Sequence, residues 1–150
     1  MAPWAANRLT RSGTPQKRAK LAHGVRHAVL GERWQAGTAL FEVTAWRTPC
    51  ANFARFWGIP DLVKRFAAHG ATGAYLRVLE TGDIGAGDPV ELVSRPRHGI
   101  TVETAFRIAT TQKHRLPELA PALHHLPVKD RPKIAAKIAA KIAARTEASV

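Results

Sequence analysis

The feature that most constrains this chain is a change of period. Between Gly37 and Ser94 apolar residues recur mainly at every second position, whereas from Thr101 onward they recur at every third or fourth. Period two suits a strand with alternating faces, and a period near 3.6 suits a helix with one buried stripe. Strands gathered first and helices last predict an α+β fold with a helical tail.

Ala39, Phe41 and Val43 fall on one face and Leu40, Glu42 and Thr44 on the other, so this segment reads as a half-exposed strand after a turn at Gly37. Tyr75, Arg77 and Leu79 oppose Leu76, Val78 and Glu80 in a second strand. Val90, Leu92 and Ser94 oppose Glu91 and Val93 in a third, which runs from Pro89 and is closed by Pro96. Thr81-Gly82-Asp83 and Ala86-Gly87-Asp88 read as turns around a short middle strand, with hairpin glycines. Pro60 and Asp61 open a short helix whose Leu62, Val63 and Phe66 share a face, and Gly70 stops it.

In the helical block Thr101 is an N-cap candidate with Thr104 three residues on, and Val102, Ala105, Phe106 and Ala109 form the expected buried stripe. LPELAPALHHL reads as a second helix begun or interrupted by Pro117 and Pro121, and Asp130 caps a third. There Ile134, Ile138 and Ile142 recur every four residues beside Lys133, Lys137 and Lys141. Four residues overshoot the helical period by about 40°, which gives a slanted apolar stripe. It suits a docked terminal helix, or a helix that meets an anionic surface or partner.

Charge is unevenly placed. The formal net charge of +12 divides into +6 over residues 1–36, +1 over 37–110 and +5 over 111–150. Any attraction to nucleic acid would rest on the basic ends, through phosphate without base readout, so no specific nucleic-acid partner is expected. The first thirty residues hold no acid and little periodicity, and they read as a basic, poorly ordered lead over 1–28. No apolar run approaches the ~20 residues of a membrane span. One cysteine, Cys50, excludes a disulfide framework and a four-cysteine zinc site, and suits a reducing cytoplasm.

Cys50 ends the loop Arg47-Thr48-Pro49-Cys50. Its thiolate would be a soft metal ligand or a nucleophile, with Arg47 to favour the anion and Pro49 to stiffen the approach. A buried small hydrophobe explains the same residue equally simply. His23 with His27, and the adjacent His124 and His125, are poor zinc candidates, and Gly82, Gly85 and Gly87 lack the lysine and helix of a phosphate loop. No Ser-His-Asp set can be assigned from spacing.

The order GERW, FEVT, RTPC, PDLVKRF, TGAYLRVLETGDIGAGDPVEL, SRP and HGITVETAFR, from Gly31 to Arg107, resembles the MOSC domain family, named for the C-terminal region of molybdenum-cofactor sulfurase. It is most similar to the YiiM-like branch linked to hydroxylaminopurine resistance. The resemblance is strong over roughly residues 29–107, and looser beyond Thr111, where that branch carries a small three-helix extension. It implies a MOSC-type β-barrel over 29–110 and a helical extension over 111–150. It also implies a molybdenum cofactor (molybdopterin), with Cys50 as molybdenum ligand and catalytic residue. Arg47, Asn52 and Arg77 become candidate cofactor contacts, with Arg55 and Lys64 as further cations for the pterin phosphate. The implied activity is reduction of small N-hydroxylated compounds with electrons from a partner reductase. Other readings of the family stress sulfur carriage on the same cysteine.

Two departures from the pattern matter. The His-Gly-Gly segment of that branch is missing, and the first thirty residues match it only in a faint echo at Arg8–Thr14. A start within the gene, or a shifted frame that returns near Val29, would explain both. The barrel would then be incomplete, and its strand edges would invite a homo-oligomer. The alternative to a reductase is a non-catalytic MOSC remnant or binding module whose basic ends engage anionic partners.

Overall fold

The computed structural model describes residues 19–20 and 24–147. The basic lead thus falls mostly outside the described residues, as does His23. Five strands, β1 (Ala19–Lys20), β2 (Arg33–Ala36), β3 (Ala39–Trp46), β4 (Ala74–Glu80) and β5 (Val90–Ser94), form one antiparallel sheet. Its order is β1-β5-β2-β3-β4, open at both β1 and β4. Four α-helices accompany it: α1 (Ala51–Trp57), α2 (Leu62–His69), α3 (Val102–Thr110) and α4 (Arg131–Glu147). A run of 3-10 turns, Lys113–His125, joins α3 to the segment before α4, and a single such turn spans Val25–His27. The architecture is the expected α+β, with an unclosed sheet in place of a closed barrel.

The β2–β3 hairpin is the centre of the sheet, turning at Gly37 with Ala36 opposite Ala39. Gly37 has φ +54, and a side chain there would run into the Asp83 carbonyl. That contact reveals how β4 and β5 are connected. They do not form the expected hairpin: residues 81–89 cross the end of β2–β3, and β5 pairs with β2 on the far side. Thr38 N–H donates to the Asp83 carbonyl at 3.0 Å, and Asp83 N–H donates to Thr38 Oγ1 at 2.8 Å. Glycines 82, 85 and 87 thus serve a crossover loop, and no middle strand forms around Ile84.

β3 also differs from the half-exposed strand predicted. Ala39 and Val43 are buried, but so are Glu42 and Thr44 on the opposite face. A strand with neighbours on both edges and packing on both faces loses the solvent side that simple alternation assumes.

The core joins Leu30, Trp34 and Val43 to Val102, Ala105 and Ile108 of α3, and continues into Leu119, Ala122, Leu126 and Ile138 of the tail. α3 forms as its cap predicts, with Thr104 N–H donating to Thr101 Oγ1 at 3.1 Å. Its buried stripe is Val102, Ala105, Phe106 and Ile108, with Ala109 only half-buried. The second predicted helix is 3-10 because Pro117 and Pro121 each remove a donor from an α ladder. On α4 the slanted stripe works as its geometry demands. Ile138 is buried, Ile134 packs at the core's edge, and Ile142, swept further round, is 49% exposed.

Candidate functional site

The sequence candidates lie where β3 leaves the sheet. Trp46 still packs against the core, and the next residue is tied to residues just before β4. Arg47 N–H donates to the Gly73 carbonyl at 2.9 Å, and the buried Thr72 hydroxyl donates to the Arg47 carbonyl. Thr44 Oγ1 donates to the Tyr75 carbonyl at 3.2 Å. These bonds fix the backbone at Arg47 while leaving its side chain in solvent.

Cys50 stands at the N-cap of α1, with extended backbone at φ −124 and ψ 170. Its carbonyl accepts from Ala54 N–H at 3.2 Å, but its side chain makes no capping bond. The cysteine is exposed. The buried-filler reading therefore fails, and the thiol is open to a ligand. Asn52, on the first turn of α1, is also exposed, and its amide has no hydrogen-bond partner among the described residues.

α1 was not foreseen in the sequence. Its seven residues carry no polar side-chain cap, and only Gly58, left-handed at φ 61, marks its end. It is held by a ladder of edge-to-face rings. Phe53 meets Phe66 of α2 at 6.0 Å, and Phe66 meets Phe106 of α3 at 6.2 Å. Neither α1 nor α2 has a fully buried residue. Phe56 and Trp57 are exposed on the outer face of α1 and pack edge-to-face at 5.6 Å.

Arg77 is placed differently from the other candidates. Its guanidinium donates to the His125 carbonyl at 2.9 Å and lies 3.4 Å from Glu42. Glu42 is buried and also faces Arg33 at 3.5 Å and His125 at 3.7 Å. Arg77 thus compensates a buried carboxylate, a task that accounts for a cation amid Tyr75-Leu76-Val78-Leu79. A second buried acid, Glu32, accepts from Trp34 Nε1 at 2.9 Å and from Arg95.

The histidines beside Glu42 are packed ring on ring. His125 lies 3.8 Å from His124 and 5.6 Å from His98 between centroids. Gly31, at φ +87, lets the His125 ring approach where any side chain would collide. Burial pushes the His125 pKa below its ordinary value, and the nearby His124 adds to this against the pull of Glu42. Burial likewise lowers that of His98, partly opposed by the Leu30 backbone. His98 Nε2 is buried without a hydrogen-bond partner, which suits a neutral ring. No group of three or more metal-ligating side chains occurs among the described residues.

A cavity of about 870 Å³ opens beside this region, between the ends of β3 and β4, α3, the 3-10 run and α4. Trp46, Thr48 and Tyr75 line its sheet end. It is lined by none of Arg47, Cys50, Asn52 or Arg77, although Thr48 puts it next to the loop. No pattern along the chain pointed to this cavity, since its walls come from segments as distant as Trp46 and Lys137.

With this geometry in view, the likeness can be placed: residues 20–91 match the model of the MOSC domain family. The proteins it matches are of the YiiM kind. It is 37% identical over 79 residues to YflK of Bacillus subtilis strain 168, covering 53% of this chain and 36% of that protein. It is 32% identical over 80 residues to YiiM of Escherichia coli K12, covering 53% of this chain and 35% of that one. The crystal structure of YiiM from Geobacillus stearothermophilus superposes with a TM-score of 0.68 at 28% identity, over 76% of this chain and 60% of that one. YiiM from Escherichia coli gives 0.65 at 27% identity, over 78% and 60%. The chain therefore spans about a third of the length of the curated relatives it matches. Among the described residues no helix is long and apolar enough to cross a membrane.

Proposed function

We propose that this chain binds a molybdenum cofactor through Cys50 and takes part in reducing small N-hydroxylated compounds. The observation that carries the reading is the exposed, uncapped Cys50 thiol on a loop whose backbone is fixed by Thr72 and Gly73. The residues present fit such a group in part. A thiolate is a soft donor suited to a sulfur-rich metal centre. The Arg47 guanidinium and the Asn52 amide flank it in sequence, and neither is engaged elsewhere among the described residues. Arg77 does not join them, because Glu42 and His125 already hold it.

When bound, the cofactor would supply a redox centre able to deliver two electrons. Cys50 would hold the metal, and Pro49 with the fixed Arg47 backbone would keep the sulfur aimed. Arg47 would attract the pterin phosphate, its fork suiting a planar anion contact. The net change breaks the N–O bond: two electrons and two protons turn the hydroxylamino group into an amine and water. The electrons would come from a partner reductase, in a reducing cytoplasm that keeps the exposed thiol free.

The test is reduction of an N-hydroxylated purine by protein from a cofactor-competent host, with reduced viologen as donor. Turnover by the wild type that is lost in Cys50→Ser supports the reading; equal turnover by both removes Cys50 from it. A second reading, a binding module without catalysis, draws on the open edge at β4. There Tyr75, Leu76, Val78 and Leu79 are all exposed, and such an edge favours pairing with another strand, as in a homo-oligomer.

A further inference from the structure

The cavity beside the loop has a composition of its own. Its floor is apolar, from Ile108, Leu116, Leu119, Leu126 and Ile134. Its rim carries Lys113, Lys129, Lys133 and Lys137, against the single carboxylate of Asp130. None of the four lysines is in an ion pair among the described residues, and all four are exposed. The start of α4 lies at this rim, so the helix dipole adds to the positive potential. Neutral surroundings elsewhere make the contrast sharper, since residues 37–110 carry a net charge of only +1.

Apolar walls and a one-signed rim select a ligand with the matching division. The apolar part would displace water from the leucine and isoleucine floor, at about 25 cal/mol for each Å² covered. The anionic head would meet several ammonium groups at once, which avoids the weakness of a single exposed ion pair. The volume lies within the range of roughly 300–1,000 Å³ usual for small-molecule sites, which favours a compact ligand over a protein or a bilayer. Lys133 and Lys137 are one turn apart on α4, and Ile134 between them is turned into the core's edge. The first half of the Ile-Ala-Ala-Lys repeat thus serves two surfaces, with Ile134 and Ile138 docking the helix and Lys133 and Lys137 facing the cavity.

We infer that this cavity binds a small amphiphilic anion, an aliphatic or aromatic body with a carboxylate or phosphate head, in a site separate from Cys50. Binding does not require the cofactor, because no residue proposed to hold it lines the cavity.

The probes are dodecanoate, dodecyl phosphate and uncharged dodecanol, each below its micelle concentration, titrated into the full chain by calorimetry. Trp46 lines the cavity, so tryptophan fluorescence lost from the response in Trp46→Phe reports the location. One or both anions should bind saturably at one site, about tenfold or more tighter than dodecanol. The head group that binds better distinguishes a carboxylate from a phosphate ligand. Lys133→Glu with Lys137→Glu should weaken anion binding by about tenfold or more while circular dichroism and thermal unfolding stay unchanged, as both side chains are exposed. Ala109→Phe, which fills the cavity from α3, should weaken anions and dodecanol alike. Cys50→Ser should leave the affinity unaltered, which separates this site from the proposed cofactor site. Dodecanol binding as tightly as the anions, or charge reversal without effect, overturns the inference.

Discussion

Glu42 and Cys50 are eight residues apart in sequence, yet their surroundings are opposite. Glu42 is buried in the central strand, and Arg33, Arg77 and His125 converge on its charge. Cys50 sits at the N-cap of a peripheral helix, with its side chain exposed and making no capping bond. The buried region is closed by partners the chain itself provides. The Cys50 region is held only through its backbone and a ladder of three phenylalanines. A reactive group whose side chain is exposed on a fixed backbone suits ligand binding, whereas a fully partnered buried charge suits stability.

The contrast breaks first at the ring ladder. Phe106 is fully buried, so Phe106→Ala should cost about 3–5 kcal/mol in urea unfolding. Phe53→Ala, at the outer end, should cost only about 1 kcal/mol, since its ring is half-buried. Equal losses would mean that α1 is as integral to the fold as α3. Next comes Glu32→Ala, which strands the buried Trp34 Nε1–H and should cost about 1–3 kcal/mol. Loss of the α3 cap in Thr101→Ala should cost about 1 kcal/mol by the same measurement.

The histidine cluster gives the buried region a pH dependence. The folded pKa values of His98 and His125 lie below their ordinary value, so the unfolded chain binds protons first as pH falls. Their contribution to stability is fully present above about pH 6.5 and declines below it, through the lowered folded pKa values. Unfolding midpoints should fall over that window, and His98→Gln should flatten the slope. A midpoint that rises on acidification would reverse the assigned direction.

Much of the scaffold was legible in the residues. The β3, β4 and β5 segments fall where their alternation places strands, while α2 ends at its Gly70 stop, α3 follows its cap and α4 follows its slanted stripe. Periodicity could not show that residues 81–89 cross over the β2–β3 turn, because strand order depends on contacts such as Thr38 with Asp83. Nor could it show that both faces of β3 are covered. α1 escaped notice because two turns of helix without a capping side chain leave too short a pattern. Phe53 with Phe56–Trp57, three and four residues on, and Gly58 as a stop were the signals available. At the candidate site, Cys50, Arg47 and Asn52 were found in exposed positions, while Arg77 was drawn to Glu42 by a pairing between two strands that sequence spacing does not display.

The central claim is that Cys50 is exposed for the sake of a metal and contributes little to the fold. Cys50→Ser should change stability by no more than about 0.5 kcal/mol. The decisive measurement is the molybdenum content of the wild type and of Cys50→Ser, both purified from a cofactor-competent host. The account predicts molybdenum in the wild type and its loss in the serine variant, with unfolding curves that superpose. Equal molybdenum in the two proteins, or none in the wild type, would contradict it.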